Sequence, residues 1–115
     1  PSHEDGARWL GDATPLDTAE RYAREGAHIV VVKNGPGEIV MLHGGRTSRH
    51  HPEPVTDAVD TTAAGDSFNA GFLACRIIGT SLDQAVERAA RLAARVVSHR
   101  GALVIEAVSA GDLIN

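Results

Sequence analysis

At 115 residues, with 43% hydrophobic and 23% charged side chains, the chain has the balance of one soluble globular domain built around one core. A net charge of −4 removes any broad electrostatic reason to bind nucleic acid, and no apolar run approaches the length of a membrane span, so neither is expected as a partner. The single Cys75 cannot close an internal disulfide, which predicts a reducing, cytoplasmic setting.

Aromatic residues make up only 3%, so packing must rest on Ala, Val, Leu and Ile, as in α/β layers. The opening Pro1-Ser2-His3-Glu4-Asp5 has no initiator Met and reads as the interior of a longer chain. Residues 4–11 suggest a short helix closed by Gly11. A second helix follows over residues 15–25, where Pro15 suits a first turn, Leu16, Ala19, Tyr22 and Ala23 share a face, and Gly26 is a stop. The β-branched run His28-Ile29-Val30-Val31-Val32 fits a buried parallel strand. Turn chemistry at Asn34-Gly35-Pro36-Gly37 and a second apolar run at residues 39–42 make residues 28–43 a hairpin or closely paired strands. Gly44-Gly45 starts another turn, and an edge strand is expected over residues 46–51, ended by Pro52 and Pro54.

Apolar residues at 64, 68, 72, 75 and 78 fall at helical spacing, with Gly71 inside marking a close approach to the backbone at a propensity cost of about 1 kcal/mol. Leu82, Ala85, Val86, Ala89, Leu92, Ala93 and Val96 define another amphipathic helix, with Glu87 and Arg91 one turn apart on its wet side and Gly101 as its end. A last short strand over residues 102–105 and a helical turn over 109–114 complete the reading.

The stretch from Val59 to Gly71 carries the chemistry. It is a small-residue turn feeding the start of an amphipathic helix. The first N–H groups of a helix lack intrahelical partners and carry the positive end of its dipole, so the backbone from Ala63 to Asp66 can surround an anion. The small side chains of Ala63, Ala64 and Gly65 let that anion come close. Asp66 would then be a proton acceptor beside a phosphoryl group, the arrangement phosphoryl transfer needs. From the residues alone, an Asp at a helix start is most often just a cap.

The run Asp60-Thr61-Thr62-Ala63-Ala64-Gly65-Asp66 resembles the D-T-x-G/A-A-G-D motif of the ribokinase-like (PfkB) carbohydrate kinases, and Ser67-Phe68-Asn69-Ala70-Gly71 continues as in that family. The resemblance implies that Asp66 is the catalytic base that meets the substrate hydroxyl, and that Ala63, Ala64 and Gly65 form the anion hole, Ala63 standing where many relatives have Gly. Val31-Val32-Lys33-Asn34-Gly35 is similar to the family's V-K-x-G strand and turn, which implies a nucleotide-phosphate role for Lys33 and Gly35; read without the family, Lys33 is a solvated charge at a strand end. By the same resemblance Asp60, Thr62, Val96 and Gly101 are candidate ligands of a monovalent cation, K+, although Ile105 stands where ribokinase has a helpful Ser and Asp60 also suits a turn cap. Ser2, with Glu4 or Asp5, stands where the family has N-x-x-E.

The fold implied is α/β, ribokinase-like, the C-terminal part of a mostly parallel sheet flanked by helices, with the lid and N-terminal half lying elsewhere. The function implied is ATP- and Mg2+-dependent phosphorylation of a sugar or keto-deoxy sugar acid. Within the family, residues 60–71 and His99-Arg100-Gly101-Ala102 lean towards 2-keto-3-deoxygluconate kinases, with ribokinase or fructokinase as the alternative. A nucleotide-binding module inactive on its own, and an adenosine-type or hydroxymethylpyrimidine-type kinase, remain the competing readings. The expected partners are a nucleotide and a small sugar, and a homo-oligomer is expected, with self-association through a truncated sheet edge. The six histidines have no zinc-ligand spacing, and no P-loop or dinucleotide motif occurs.

Overall fold

The computed structural model describes residues 1–54 and 63–98, and the chain divides into two compact units, residues 1–51 and 52–115. In chain order the elements are α1 (His3–Leu10), α2 (Pro15–Arg24), β1 (Ile29–Val32), β2 (Ile39–His43), β3 (Arg46–His50), α3 (Ala64–Ile77) and α4 (Leu82–Val97). The strand and helical turn expected beyond residue 101 lie outside the described residues.

In the first unit each helix is delimited by its own side chains. Ser2 caps α1 by accepting the N–H of Asp5, and Gly11, at φ 75°, closes it. α2 begins with a capping box: Thr14 Oγ1 accepts the Asp17 N–H at 3.1 Å, and Asp17 Oδ2 accepts the Thr14 N–H at 2.9 Å. Pro15 occupies the first turn, where its missing N–H costs nothing.

The three strands form an antiparallel sheet in the order β1-β2-β3, with Val30 opposite Leu42, Val32 opposite Val40 and Met41 opposite Ser48. The run at β1, which reads in sequence as a parallel strand, pairs antiparallel with β2, and the one parallel contact among the described residues is the bridge between Ser2 and Lys33. A continuous β-branched run reports burial, not strand direction. Burial here falls on Val30 and Val32, while Val31 is half-buried and Ile29 is exposed. The β2–β3 link is a two-residue loop, Gly44-Gly45, with both φ values positive (58° and 75°), the conformation of a type I′ hairpin that only glycine adopts without strain.

α2 lies on the sheet. Ala19, Val30, Val32 and Val40 form the core, and Leu16, Ala23 and Leu42 pack against it. A fully buried Val contributes about 1.5–3 kcal/mol, and Val32 and Val40, both 0% exposed, share this unit's apolar stabilisation with the buried Val30, Ile39 and Met41. Tyr22, expected on the apolar face, is exposed, and the Arg21 guanidinium lies 4.7 Å from its ring centroid. The position taken up inside is Thr18, which is fully buried and polar.

In the second unit α3 packs on α4. α4 buries Ala85, Val86, Ala89, Ala90, Leu92 and Val96, the expected stripe with Ala90 in place of the half-buried Leu82 and Ala93. α3 buries Phe68, Gly71 and Cys75, and the Phe68 and Phe72 rings stack with centroids 6.5 Å apart. Ile78, expected on that apolar face, is 55% exposed because it is the C-cap residue, where the helical period has ended.

Candidate active site

The start of α3 gathers four of the residues singled out in the sequence. Ala63 is its N-cap residue, at φ 61° and ψ 9°, and among the described residues it is the only non-glycine with positive φ. The left-handed region costs an L-residue about 1–2 kcal/mol, which accounts for the preference for Gly at this place in the family's motif. Ala64 and Gly65 follow as the first helical residues, and Asp66 is the acid of the first turn. The first backbone bond of the helix runs from the Ser67 N–H to the Ala63 carbonyl at 2.8 Å, so the amides of Ala64, Gly65 and Asp66 precede it. Ala63 has no side-chain group to cap this end. Asp66 and Gly65 are exposed, Ala63 and Ala64 half-buried. The geometry is that of a helix N-terminus with a carboxylate in its first turn.

Lys33 and Gly35 belong to the first unit. Lys33 directly follows β1 and is half-buried. Its N–H donates to the Pro1 carbonyl at 3.0 Å and its carbonyl accepts from the His3 N–H at 2.8 Å. Gly35 is exposed at φ 55° in the turn closed by the Gly37 N–H to the Asn34 carbonyl, 2.8 Å. A Cβ at Gly37 would lie 2.8 Å from Asn34 Nδ2 and 3.0 Å from the Asn34 carbonyl oxygen, so a side chain there would require Asn34 to shift. Where the family has N-x-x-E, Ser2 and Asp5 satisfy each other: the Ser2 hydroxyl donates to Asp5 Oδ2 at 2.7 Å and accepts the Asp5 N–H at 3.2 Å.

Of the four candidate cation ligands, Asp60, Thr62 and Gly101 lie outside the described residues. Val96 is in the last turn of α4 with its side chain buried, and its carbonyl accepts the Ser98 N–H. Among the described residues no group of three or more His, Cys, Asp and Glu side chains is placed to hold a metal ion, and no helix is long and apolar enough to cross a membrane.

Sequence reasoning missed a polar cluster between α1 and α2. Arg21 Nη2 donates to Asp12 Oδ2 at 2.7 Å, and Arg21 Nε contacts both carboxylate oxygens at 3.1 and 3.2 Å. The Thr18 hydroxyl donates to Asp12 Oδ2 at 2.9 Å, and His3 Nδ1 lies 3.2 Å from Thr18 Oγ1. The bonds from Arg21 hold the Asp12 carboxyl below its ordinary range against the opposing effect of desolvation, and the Thr18 hydroxyl and the His3 charge act in the same direction as Arg21. The Arg21 guanidinium is pushed up by the same bond. The only sequence signal was Thr18 and Arg21 three residues apart on one helix, with Asp12 just ahead of its cap.

The arrangement of elements is that of the ribokinase-like α/β fold. The ribokinase of Arabidopsis thaliana complexed with ribose and ATP superposes with a TM-score of 0.78 at 28% identity, over 89% of this chain and 35% of that one. A putative ribokinase II from Escherichia coli in complex with ATP and Mg2+ gives 0.77 at 28% identity, over 89% and 33%. Residues 1–107 match the pfkB family of carbohydrate kinases, and the chain belongs to that family. It is similar to the 2-dehydro-3-deoxygluconokinase of Haemophilus influenzae, with 37% identity over 103 residues, which are 88% of this chain and 32% of the relative. The chain therefore spans about a third of the length of the curated relatives it matches.

Proposed function

We propose that this chain is the C-terminal nucleotide-binding and catalytic part of an ATP-dependent kinase that phosphorylates a hydroxyl of a sugar or keto-deoxy sugar acid, 2-dehydro-3-deoxygluconate first among them. The observation that carries the reading is Asp66, an exposed first-turn acid at the start of α3, in a chain of this family. In the reaction the Asp66 carboxylate takes the proton of the acceptor hydroxyl as its oxygen bonds to the γ-phosphorus of Mg2+-bound ATP and the bond to ADP breaks. The amides around Ala63, Ala64 and Gly65 hold the phosphoryl oxygens as charge shifts across them. Lys33 and Gly35 attend the nucleotide phosphates. The names of relatives support the substrate: 2-dehydro-3-deoxygluconokinase in several, fructoselysine 6-kinase in others. The reading also places the enzyme in the cytoplasm as a homo-oligomer.

The test is an ADP-release assay on a relative-length protein carrying these residues, with ATP, Mg2+ and a panel of 2-dehydro-3-deoxygluconate, fructoselysine, ribose and fructose. The highest kcat/KM is expected on 2-dehydro-3-deoxygluconate, a preference for ribose or fructose selects the alternative, and no sugar-dependent release overturns the kinase reading. The 115-residue chain alone should turn over no sugar, because positioning of the acceptor supplies on the order of 7–11 kcal/mol in favourable cases and the chain spans only about a third of its relatives. Asp60, Thr62 and the carbonyls of Val96 and Gly101 are hard oxygen donors suited to K+. Replacing potassium by a bulky organic cation at equal ionic strength is expected to lower activity; an unchanged rate leaves Asp60 as a structural cap.

A further inference from the structure

We infer that His3, Thr18, Asp12 and Arg21 form a clamp that holds the Lys33 end of β1 in place, so that these side chains are positioning residues for Lys33. The inference rests on the proposed nucleotide role of Lys33 only for its functional consequence; the clamp itself is read from the packing.

β1 ends at Val32, and Val32 opposite Val40 is the last pair it makes with β2. Just beyond the ladder, the Lys33 backbone bonds to Pro1 and His3. The position of Lys33 therefore depends on where α1 begins. Apolar packing does little to fix α1: Gly6 is its only buried residue, and Trp9 and Leu10 are 69% and 58% exposed. What fastens it to α2 is polar. The His3 ring reaches the buried Thr18 hydroxyl on α2, while the Asp12 N–H donates to the Gly6 carbonyl at 3.2 Å and so ties the segment between the two helices, not α2 itself, to the end of α1.

The direction of these bonds is determined. An ionised carboxylate only accepts, so the Thr18 proton points to Asp12, and the Thr18 oxygen is left to accept from His3. His3 is thereby held with its proton on Nδ1. The chain runs His3 to Thr18 to Asp12, with Arg21 donating from the far side, and bonds aligned this way polarise one another. His3 carries both ends of the argument: its ring joins this chain, and its backbone N–H holds the Lys33 carbonyl.

The experiment is residue-resolved amide exchange by NMR on the 115-residue chain. Thr18→Val keeps the shape of the buried side chain and removes the hydroxyl. The His3 and Lys33 amides should exchange about tenfold faster, the size of one hydrogen bond, while the Val30 and Val32 amides bonded to β2 keep their rates. Thr18→Ser should restore protection, and Arg21→Gln, which loosens the far end only, should give the same pattern at smaller amplitude. Unchanged His3 and Lys33 amides overturn the clamp. So does uniform acceleration of all four, which would mark a general loss of stability. A separate ADP titration decides the functional reading. Lys33→Ala should weaken ADP binding, and Thr18→Val should weaken it more than Thr18→Ser does. If Lys33→Ala leaves affinity intact, the nucleotide role of Lys33 falls while the exchange data still decide the clamp.

Discussion

The starts of α2 and α3 carry an acid at the same place and use it differently. Counting from the N-cap residues Thr14 and Ala63, Asp17 and Asp66 are both third in their helices. Asp17 accepts the Thr14 N–H and is committed to a capping box, on a helix whose cap has ordinary extended φ and ψ. Asp66 makes no cap bond, and the N-cap residue Ala63, three positions ahead of it, bears a left-handed backbone that an L-residue adopts at a cost. One end is closed by its own side chains and optimised for stability. The other has no capping box and gives up a stabilisation worth about 1 kcal/mol.

The sharpest way to break this comparison is to remove both charges in turn. In the relative-length enzyme, Asp66→Asn is expected to lower kcat by about 10²–10⁴-fold with nucleotide affinity nearly unchanged, the range a general base supplies. Asp17→Asn should leave kcat alone. Turnover of the Asp66 variant within about tenfold of wild type would end its assignment as the base. A smaller effect should appear in urea unfolding of the 115-residue chain. Thr14→Ala should cost about 1 kcal/mol by opening the capping box, whereas Ala63→Gly should gain about 1 kcal/mol by relieving the positive φ. Loss of stability in Ala63→Gly would contradict the strained turn.

The smallest expected effect is on acid stability, next to the α2 start. The Asp12 carboxyl sits below its ordinary value of 3.8 in the folded chain, so the stability it contributes is fully present above that value. It is lost as the pH falls through the folded value. Urea midpoints measured from about pH 5 down to about pH 2 should drop less steeply in Asp12→Asn than in wild type, and parallel curves would show that the ion pair is not linked to folding.

Much of this was legible in the residues. Gly11, Gly26, Pro15 and the apolar spacing set the ends of α1, α2 and α3 to within a residue or two, whereas α4 ends at Val97, ahead of the expected Gly101, and the double glycine set the β2–β3 hairpin. The position of Asp66 at a helix start also followed from the pattern, and its proposed role from the family's motif. What stayed hidden depends on contacts between elements. The direction of β1 is fixed by β2 and not by its own composition, and Thr18 is buried because Asp12, six residues earlier, returns to receive its proton. Ile78 follows the apolar period in sequence but stands past the last helical turn.

Gly6 has a consequence for how the sequence can change over time. A Cβ at this position would lie 2.4 Å from Asp12 Oδ2 and 2.7 Å from Thr18 Oγ1, so the clamp occupies the space a side chain would need. Glycine mid-helix costs about 0.5–1 kcal/mol relative to Ala, so substitution would otherwise be favoured. Position 6 is therefore epistatic with the clamp, and in order: an alanine there becomes acceptable only after both Asp12 and Thr18 have given way. Once it is there, the return of Asp12 is blocked by the same overlap. Such a coupling acts as a ratchet, so lineages that lost Asp12 and Thr18 are expected to keep a side chain at position 6, and lineages that retain them to keep glycine.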